Sequence, residues 1–287
     1  MSGRALAVVR AGALTTVQDL GRPGHAHVGV GRSGALDPEA ARLVNRLVGN
    51  PETAAVLETT VDGCALRPRG AVTVAVGGAP CPVRVDGRPA AWGTALRVPA
   101  GAVLEVGAAV RGLRSYVAFA GGVDVEPVLG SRSTDLLSGL GPAPLTADTV
   151  LPLGPVAGVP GPVDTSPWPG PPDVLVLRIR FGPRDDWFTG PALRTLATRA
   201  YRVSPASNRV GLRLSGPALE RAVPGELPSE GMVLGAVQVP PDGCPVVFLA
   251  DHPTTGGYPV VGVVREADLG AAAQAVPGTP VRFVPGR

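Results

Sequence analysis

The chain has 287 residues, 45% apolar and 17% charged, enough to bury a large core and fold unaided. Its 40 Gly and 33 Pro are scattered between short apolar runs without a period, which excludes collagen-like and simple low-complexity chains and fits many short strands joined by tight turns. A net charge of +3, with no basic run interleaved with aromatics, excludes a nucleic-acid partner, and no apolar stretch is long enough to cross a membrane.

In chain order, residues 5–10 open as an apolar strand, followed by two polar segments, 15–25 (TTVQDLGRPGH) and 29–37 (GVGRSGALD), read as loops where strands stop. Asp37 then reads as an N-cap, Pro38 as the first turn, Leu43, Val44 and Leu47 as one buried face, and Gly49 as the stop of a helix. Short Val-rich strands are predicted at 71–76, 82–85, 103–106 and 115–120, with a hairpin turn at Asp86-Gly87. A third polar cluster covers 121–124 and 130–134. Residues 152–172 hold eight prolines and cannot enter a core sheet. They are therefore read as a linker between a domain at 1–151 and one at 173–287. The second half shows strands at 174–180, 235–239, 245–250, 260–264 and 281–284, a turn at Asp242-Gly243, a weak helix at 185–199 and another at 267–274. The fold class is mainly β with few helices, in two domains.

Between two of those strands lies Asp251 to Pro259, DHPTTGGYP, expected to form a hairpin-like loop whose Gly256-Gly257 pair gives a tight backbone. It closes a fourth polar cluster that starts at Ser229-Glu230-Gly231 and passes through Gln238. Gln, Asp, Arg, Ser and Thr on loops suit a small amide or carboxylated ligand, since Arg forks onto a carboxylate while Gln and Asp read N–H and C=O groups. Other chemistries are poorly supplied. His25 and His27 lack a third ligand, so no metal is expected. No G-x-S-x-G turn occurs, and the adjacent Asp251-His252 pair is not a catalytic dyad. All 26 basic residues are Arg, which excludes a phosphate-loop, Schiff-base or biotinylated lysine on this chain. Any ATP or carrier-bound cofactor must therefore come with a partner. The first residues lack a signal-peptide pattern and the three cysteines are far apart, which fits a cytoplasmic protein.

Read together, TTVQDLGRPG, GVGRSGALD, LVNRLVGN, AGGVDV…LGSRST, SNRVGLRLSG, SEGMVLGAVQVPPDGCPVVFLADHPTTGGYP and AAQAVPG occur in this order. They resemble the KipA/PxpC family, also known as the C component of 5-oxoprolinase, allophanate hydrolase subunit 2 or biotin-dependent carboxyltransferase. The resemblance covers essentially the whole chain, departing from the family pattern at Pro253 and Val260. It implies cyclophilin-like β-barrel units, a KipI/PxpB-type partner subunit and possibly a PxpA-type subunit. It also implies ATP-dependent opening of 5-oxoproline to glutamate, with ATP held elsewhere and no cofactor bound to this chain. In that expectation Asp251, Tyr258, Gln238 and Asp19 are catalytic. Gln18, Arg22, Arg32, Arg132, Asn208, Arg209, Glu230, Thr254, Thr255, Gly256 and Gly257 bind substrate. Two alternatives stand beside it: carboxyl transfer from carboxybiotin to urea or another small amide, and a non-catalytic role binding a KipI-type kinase inhibitor.

Overall fold

A computed structural model describes residues 4–160 and 170–286. The chain divides into two compact units. The first takes the described residues of Met1–Arg22, Ser33–Asp135 and Gly139–Gly170; the second takes Pro23–Arg32, Leu136–Ser138 and the described residues of Pro171–Arg287. Part of the linker read at 152–172 lies outside the described residues.

The first unit is built from two sheets. Strands β1 (Ala5–Arg10), β4 (Cys64–Pro68), β6 (Val83–Val85), β7 (Arg88–Ala90), β9 (Leu104–Val106) and β11 (Val150–Pro152) form one, in the order β11-β1-β4-β9-β6-β7. Pro152 ends the edge strand β11, where a missing N–H costs no interior ladder bond. Strands β2 (Leu14–Gln18), β3 (Val56–Thr60), β5 (Val72–Gly78), β8 (Ala95–Val98) and β10 (Arg114–Phe119) form the other, in the order β2-β3-β10-β5-β8. Leu6, Leu66, Leu104 and Val106 of the first sheet and Val17, Leu57, Val74, Val117 and Phe119 of the second share one core. The β6–β7 hairpin turns at Asp86-Gly87 with both residues at positive φ, 48° and 74°, the geometry a two-residue hairpin loop requires.

The outer face of the five-stranded sheet is covered by helix α1 (Pro38–Leu47). Asp37 caps it as its sequence signals, its side chain accepting from Ala40 N, and Val44 and Leu47 pack against Val56, Ala75, Tyr116 and Ala118. Burial on both faces explains why β10 has no polar–apolar alternation and is buried throughout.

In the second unit, β12 (Leu175–Phe181), β13 (Tyr201–Val203), β14 (Gly211–Ser215), β16 (Ala236–Gln238), β17 (Val246–Phe248), β19 (Val260–Val264) and β20 (Pro280–Pro285) close into a barrel in the order β12-β19-β16-β17-β14-β13-β20. In β12 the side chains of Leu175, Leu177 and Ile179 go in while Val176, Arg178 and Arg180 go out, the period-two pattern of a barrel wall. A two-stranded ribbon, β15 (Glu230–Gly231) with β18 (Thr255–Gly256), lies outside it. The expected helix at 185–199 is helix α2 (Gly190–Thr198), starting later because Thr189 caps Ala192 N; α3 runs Glu266–Ala273.

Two expectations are corrected. The segment starting at Thr15 is not a loop: Thr15–Gln18 belong to β2, in register with β3. DHPTTGGYP is not a hairpin loop, because β16 lies between β17 and β19, so the segment crosses over an intervening strand.

The closeness of α1 to its sheet is testable. A Cβ at Gly77 of β5 would stand 2.6 Å from Val44 Cγ1. Gly77→Val is expected to lose about 1–3 kcal/mol in urea denaturation by overpacking this layer, whereas the same exchange at exposed Gly70, where a Cβ meets nothing within 4 Å, is expected to leave the midpoint nearly unchanged.

Candidate functional site

The polar face of the first unit follows from strand register. Thr16 of β2 stands opposite Glu58 of β3, which stands opposite Tyr116 of β10, so the three share the α1 side of the sheet. Glu58 Oε2 accepts from Tyr116 Oη at 2.8 Å and from Leu36 N at 2.9 Å, while Tyr116 Oη accepts from Asp37 N at 2.8 Å. Burial first, then the nearby Glu58 and Asp37 carboxyl groups, hold the phenol's pKa well above its ordinary value, so it remains a donor to Glu58. Sequence reading passed over Glu58 and Tyr116 as functional positions. The available signal was a carboxylate inside an apolar strand.

At the end of β2, Asp19 organises the next layer. Its Oδ1 accepts from Ser131 Oγ and Ser133 Oγ at 2.6 Å each and from Gly21 N at 2.8 Å; its Oδ2 accepts from Arg132 N at 2.6 Å. Both oxygens accept hydrogen bonds, so Asp19 holds the 131–133 turn onto the end of β2. Arg22, 1% exposed, donates through Nη1 to Ser33 Oγ at 2.8 Å, through Nη2 to Ser133 O, and through Nε to Val128 O at 3.3 Å. The chain at Ser33-Gly34 passes close against Leu20-Gly21: a Cβ on Gly34, whose φ is +100°, would sit 2.9 Å from Gly21 N, so only glycine fits. Gln18 donates through Nε2 to Thr16 Oγ1 at 3.0 Å and Thr134 O at 3.1 Å. Arg132 turns elsewhere, to Val125 O and the Asp124 carboxylate, both at 2.7 Å.

In the second unit, Asp251 and Arg209 form a buried two-pronged ion pair, Nε–Oδ2 at 2.8 Å and Nη2–Oδ1 at 3.0 Å, joined by Leu136 N at 3.3 Å. Asn208 caps its own turn through Val210 N and Gly211 N at 2.9 and 3.2 Å. Glu230 stands opposite Gly256 in the ribbon and is held by Arg184, whose guanidinium keeps its carboxyl below the usual range. Thr254 O accepts from Met232 N, and Gln238 Nε2 donates to Tyr258 O at 3.2 Å. Gly256 and Gly257 are not at positive φ; a Cβ on Gly256 would stand 2.7 Å from Gln238 Nε2, so a side chain there would displace that amide. The Tyr258 side chain is 42% exposed. His252 is stacked on Phe248 and bonded to Pro253 O, and Arg32 lies 3.8 Å from Glu266. Gln18, Asp19 and Arg22 thus converge on 131–134 in one unit; Arg209 with Asp251, and Gln238 with Thr255–Tyr258, form separate groups in the other. Among the described residues, no three His, Cys, Asp or Glu groups gather as metal ligands.

The model of the carboxyltransferase domain, subdomains A and B, matches residues 28–285. The chain belongs to this family. This carboxyltransferase-family chain is 38% identical to the C component of 5-oxoprolinase from Escherichia coli K12 over 285 residues, covering 97% of the chain and 90% of that protein. Among solved structures, TTHA0988 shares 38% identity with a TM-score of 0.89, and the chain spans 56% of its length. The K. lactis urea amidolyase shares 29% with a TM-score of 0.91, with the chain covering 19% of that much longer protein. The match to both confirms the mainly β carboxyltransferase fold. The curated relatives with these names are enzymes or enzyme subunits.

Removing one partner of a buried ion pair leaves the other charge stranded, at a cost of about 3–5 kcal/mol. Asp251→Ala is expected to lose stability on that scale in guanidinium unfolding, and Arg209→Leu with Asp251→Leu to recover most of it. An Asp251→Ala protein as stable as the parent would show that the pair does not hold this segment.

Proposed function

We propose that this chain is one subunit of a heteromeric, ATP-dependent 5-oxoprolinase, working in the cytoplasm with KipI/PxpB-type and PxpA-type subunits. The observation that carries this reading is the nearly end-to-end match, at 38% identity, to a 5-oxoprolinase subunit of similar length. Ring opening breaks the lactam C–N bond, places OH on the carbonyl carbon and a proton on nitrogen, and yields glutamate. ATP makes that step favourable and is assigned to a partner subunit, because this chain has no lysine to meet its phosphates.

Within this reading the chain's polar loops hold and orient the amide. Gln238 and Tyr258 present donors at the 254–258 segment, with Tyr258 the exposed one. Asp251 acts through Arg209 and the backbone to set that segment's position. Carboxyl transfer to a small amide is the second reading, favoured by the family and by the close fit to the K. lactis urea amidolyase. There the carboxyl group arrives on a carrier from another chain.

Co-expression with KipI/PxpB-type and PxpA-type subunits provides the test. The complete complex is expected to release glutamate from 5-oxoproline in step with ATP consumption, and the complex lacking this chain to release none. Biotin-dependent consumption of urea, without glutamate release from 5-oxoproline, would contradict the reading and establish the second.

A further inference from the structure

The six-stranded sheet of the first unit carries a cavity of about 320 Å³, and none of its lining residues belongs to the polar groups described above. That volume lies at the lower end of the range for small-molecule sites, about 300–1,000 Å³. Strand alternation places the cavity on the outer face. Leu66, Leu104 and Val83 pack into the core, so their neighbours Ala65, Glu105 and Arg84 point the other way. Strand pairing then sets four lining residues in one row: Arg10 of β1 opposite Ala65 of β4, Ala65 opposite Glu105 of β9, and Glu105 opposite Arg84 of β6. Neighbouring strands lie about 4.8 Å apart, so the Arg10 and Glu105 backbones stand roughly 10 Å apart across the small Ala65, with Arg84 about 5 Å beyond. Ala65 is thus the floor of a notch, and Pro82 and Val103 extend its apolar lining.

The charges of this row do not satisfy one another. Arg10 is taken by Asp62, donating through Nη1 and Nη2 to its carbonyl oxygen at 3.3 Å each, with the carboxylate 3.6 Å from Nη1. Opposite charges directly across two strands attract, yet Arg84 turns back to Gly87 O at 3.1 Å, its one hydrogen bond among the described residues. The half-buried Glu105 makes no hydrogen bond or ion pair among the described residues. One carboxylate and one guanidinium therefore stand open side by side next to an apolar floor. A cation alone would satisfy Glu105 and leave Arg84 open, and an anion alone would do the reverse. A molecule with both charges close together satisfies the two at once.

We propose that this cavity binds a free α-amino acid with an apolar side chain. The ligand's ammonium donates to the Glu105 carboxylate and its carboxylate accepts from the Arg84 guanidinium, both charge-assisted bonds. Ammonium and carboxylate share one carbon in an α-amino acid, which matches an acid and a guanidinium on neighbouring strands. The side chain lies over Ala65, Pro82 and Val103 and removes apolar surface from water. Residues inside a peptide chain lack both charges and do not fit. The inference stands apart from the reaction proposed above, since no residue of this cavity is assigned to it.

The test titrates the isotope-labelled full chain with leucine, with isopentylamine, which lacks the carboxylate, and with isocaproate, which lacks the ammonium, and reads amide NMR shifts. Leucine is expected to shift the Ala65 and Glu105 amides and to bind at least about tenfold tighter than either analogue. Glu105→Gln should lower leucine's affinity to that of isocaproate, and Arg84→Gln to that of isopentylamine. Glu105 makes no hydrogen bond and Arg84 makes one, to its own turn, so both variants are expected to fold with an unchanged urea midpoint. Ala65→Leu fills the floor of the notch and should abolish binding of all three compounds. Equal affinity for leucine and both analogues, leucine binding that survives Glu105→Gln and Arg84→Gln, or no amide shift up to leucine's solubility limit would overturn the site. A crystal grown with leucine in which Arg84 closes on Glu105 and the cavity holds only water would overturn it too.

Discussion

Asp19 gathers four donors on its two carboxylate oxygens: the backbone N–H of Gly21 and Arg132 and the hydroxyls of Ser131 and Ser133. Charge-assisted bonds of this kind are the stronger class, and a carboxylate at the end of a strand can fold a remote turn onto that strand. The 131–134 turn then becomes the common anchor of its neighbours. Arg22 and Gln18 each reach one of its carbonyls, and Thr134 N closes onto Val17 O. Asp19 thus holds in place the turn carbonyls to which Arg22 and Gln18 donate.

The second unit repeats the strategy with an ion pair in place of a single carboxylate. Arg209 and Asp251 are buried together and tie the start of the 251–259 crossover to the β14 side of the barrel, where Asp251 N also bonds Arg209 O. The ribbon of β15 and β18 and the Gln238 amide then hold the rest of the crossover. In both units a buried carboxylate fixes a turn, and a buried Gln amide donates to the backbone nearby, Gln18 to Thr134 O and Gln238 to Tyr258 O.

Local chemistry was legible in the sequence and long-range pairing was not. The Asp37-Pro38 cap, the Asp86-Gly87 turn and the strand read at 174–180 each depend on neighbours within a few residues, and each is present. Strand β2 was hidden because three of its five side chains are Thr or Gln, and the strand and turn they meet, β3 and 131–134, come from distant stretches. The crossover of DHPTTGGYP was hidden because only sheet order shows that β16 intervenes. The candidate residues were recognisable as a set of polar groups, but sequence could not show which turn each of them ties down: Asp19 and Gln18 the 131–134 turn, Asp251 the segment at Arg209. Glu58 escaped because a lone carboxylate in LETT has no local partner to announce its burial.

The central claim is that Asp19 holds the 131–134 turn in place for the residues that converge on it. Asp19→Asn turns one acceptor oxygen into a donor amide and leaves the Arg132 N–H without its partner. Hydrogen exchange on this variant tests the claim most directly. Loss of a hydrogen bond to a charged group, worth about 1.5–3 kcal/mol, should speed exchange at the Arg132 amide by roughly ten- to a hundredfold, with the adjoining amides of the turn following and the barrel of the second unit unchanged. Unaltered protection at Arg132 would contradict the account.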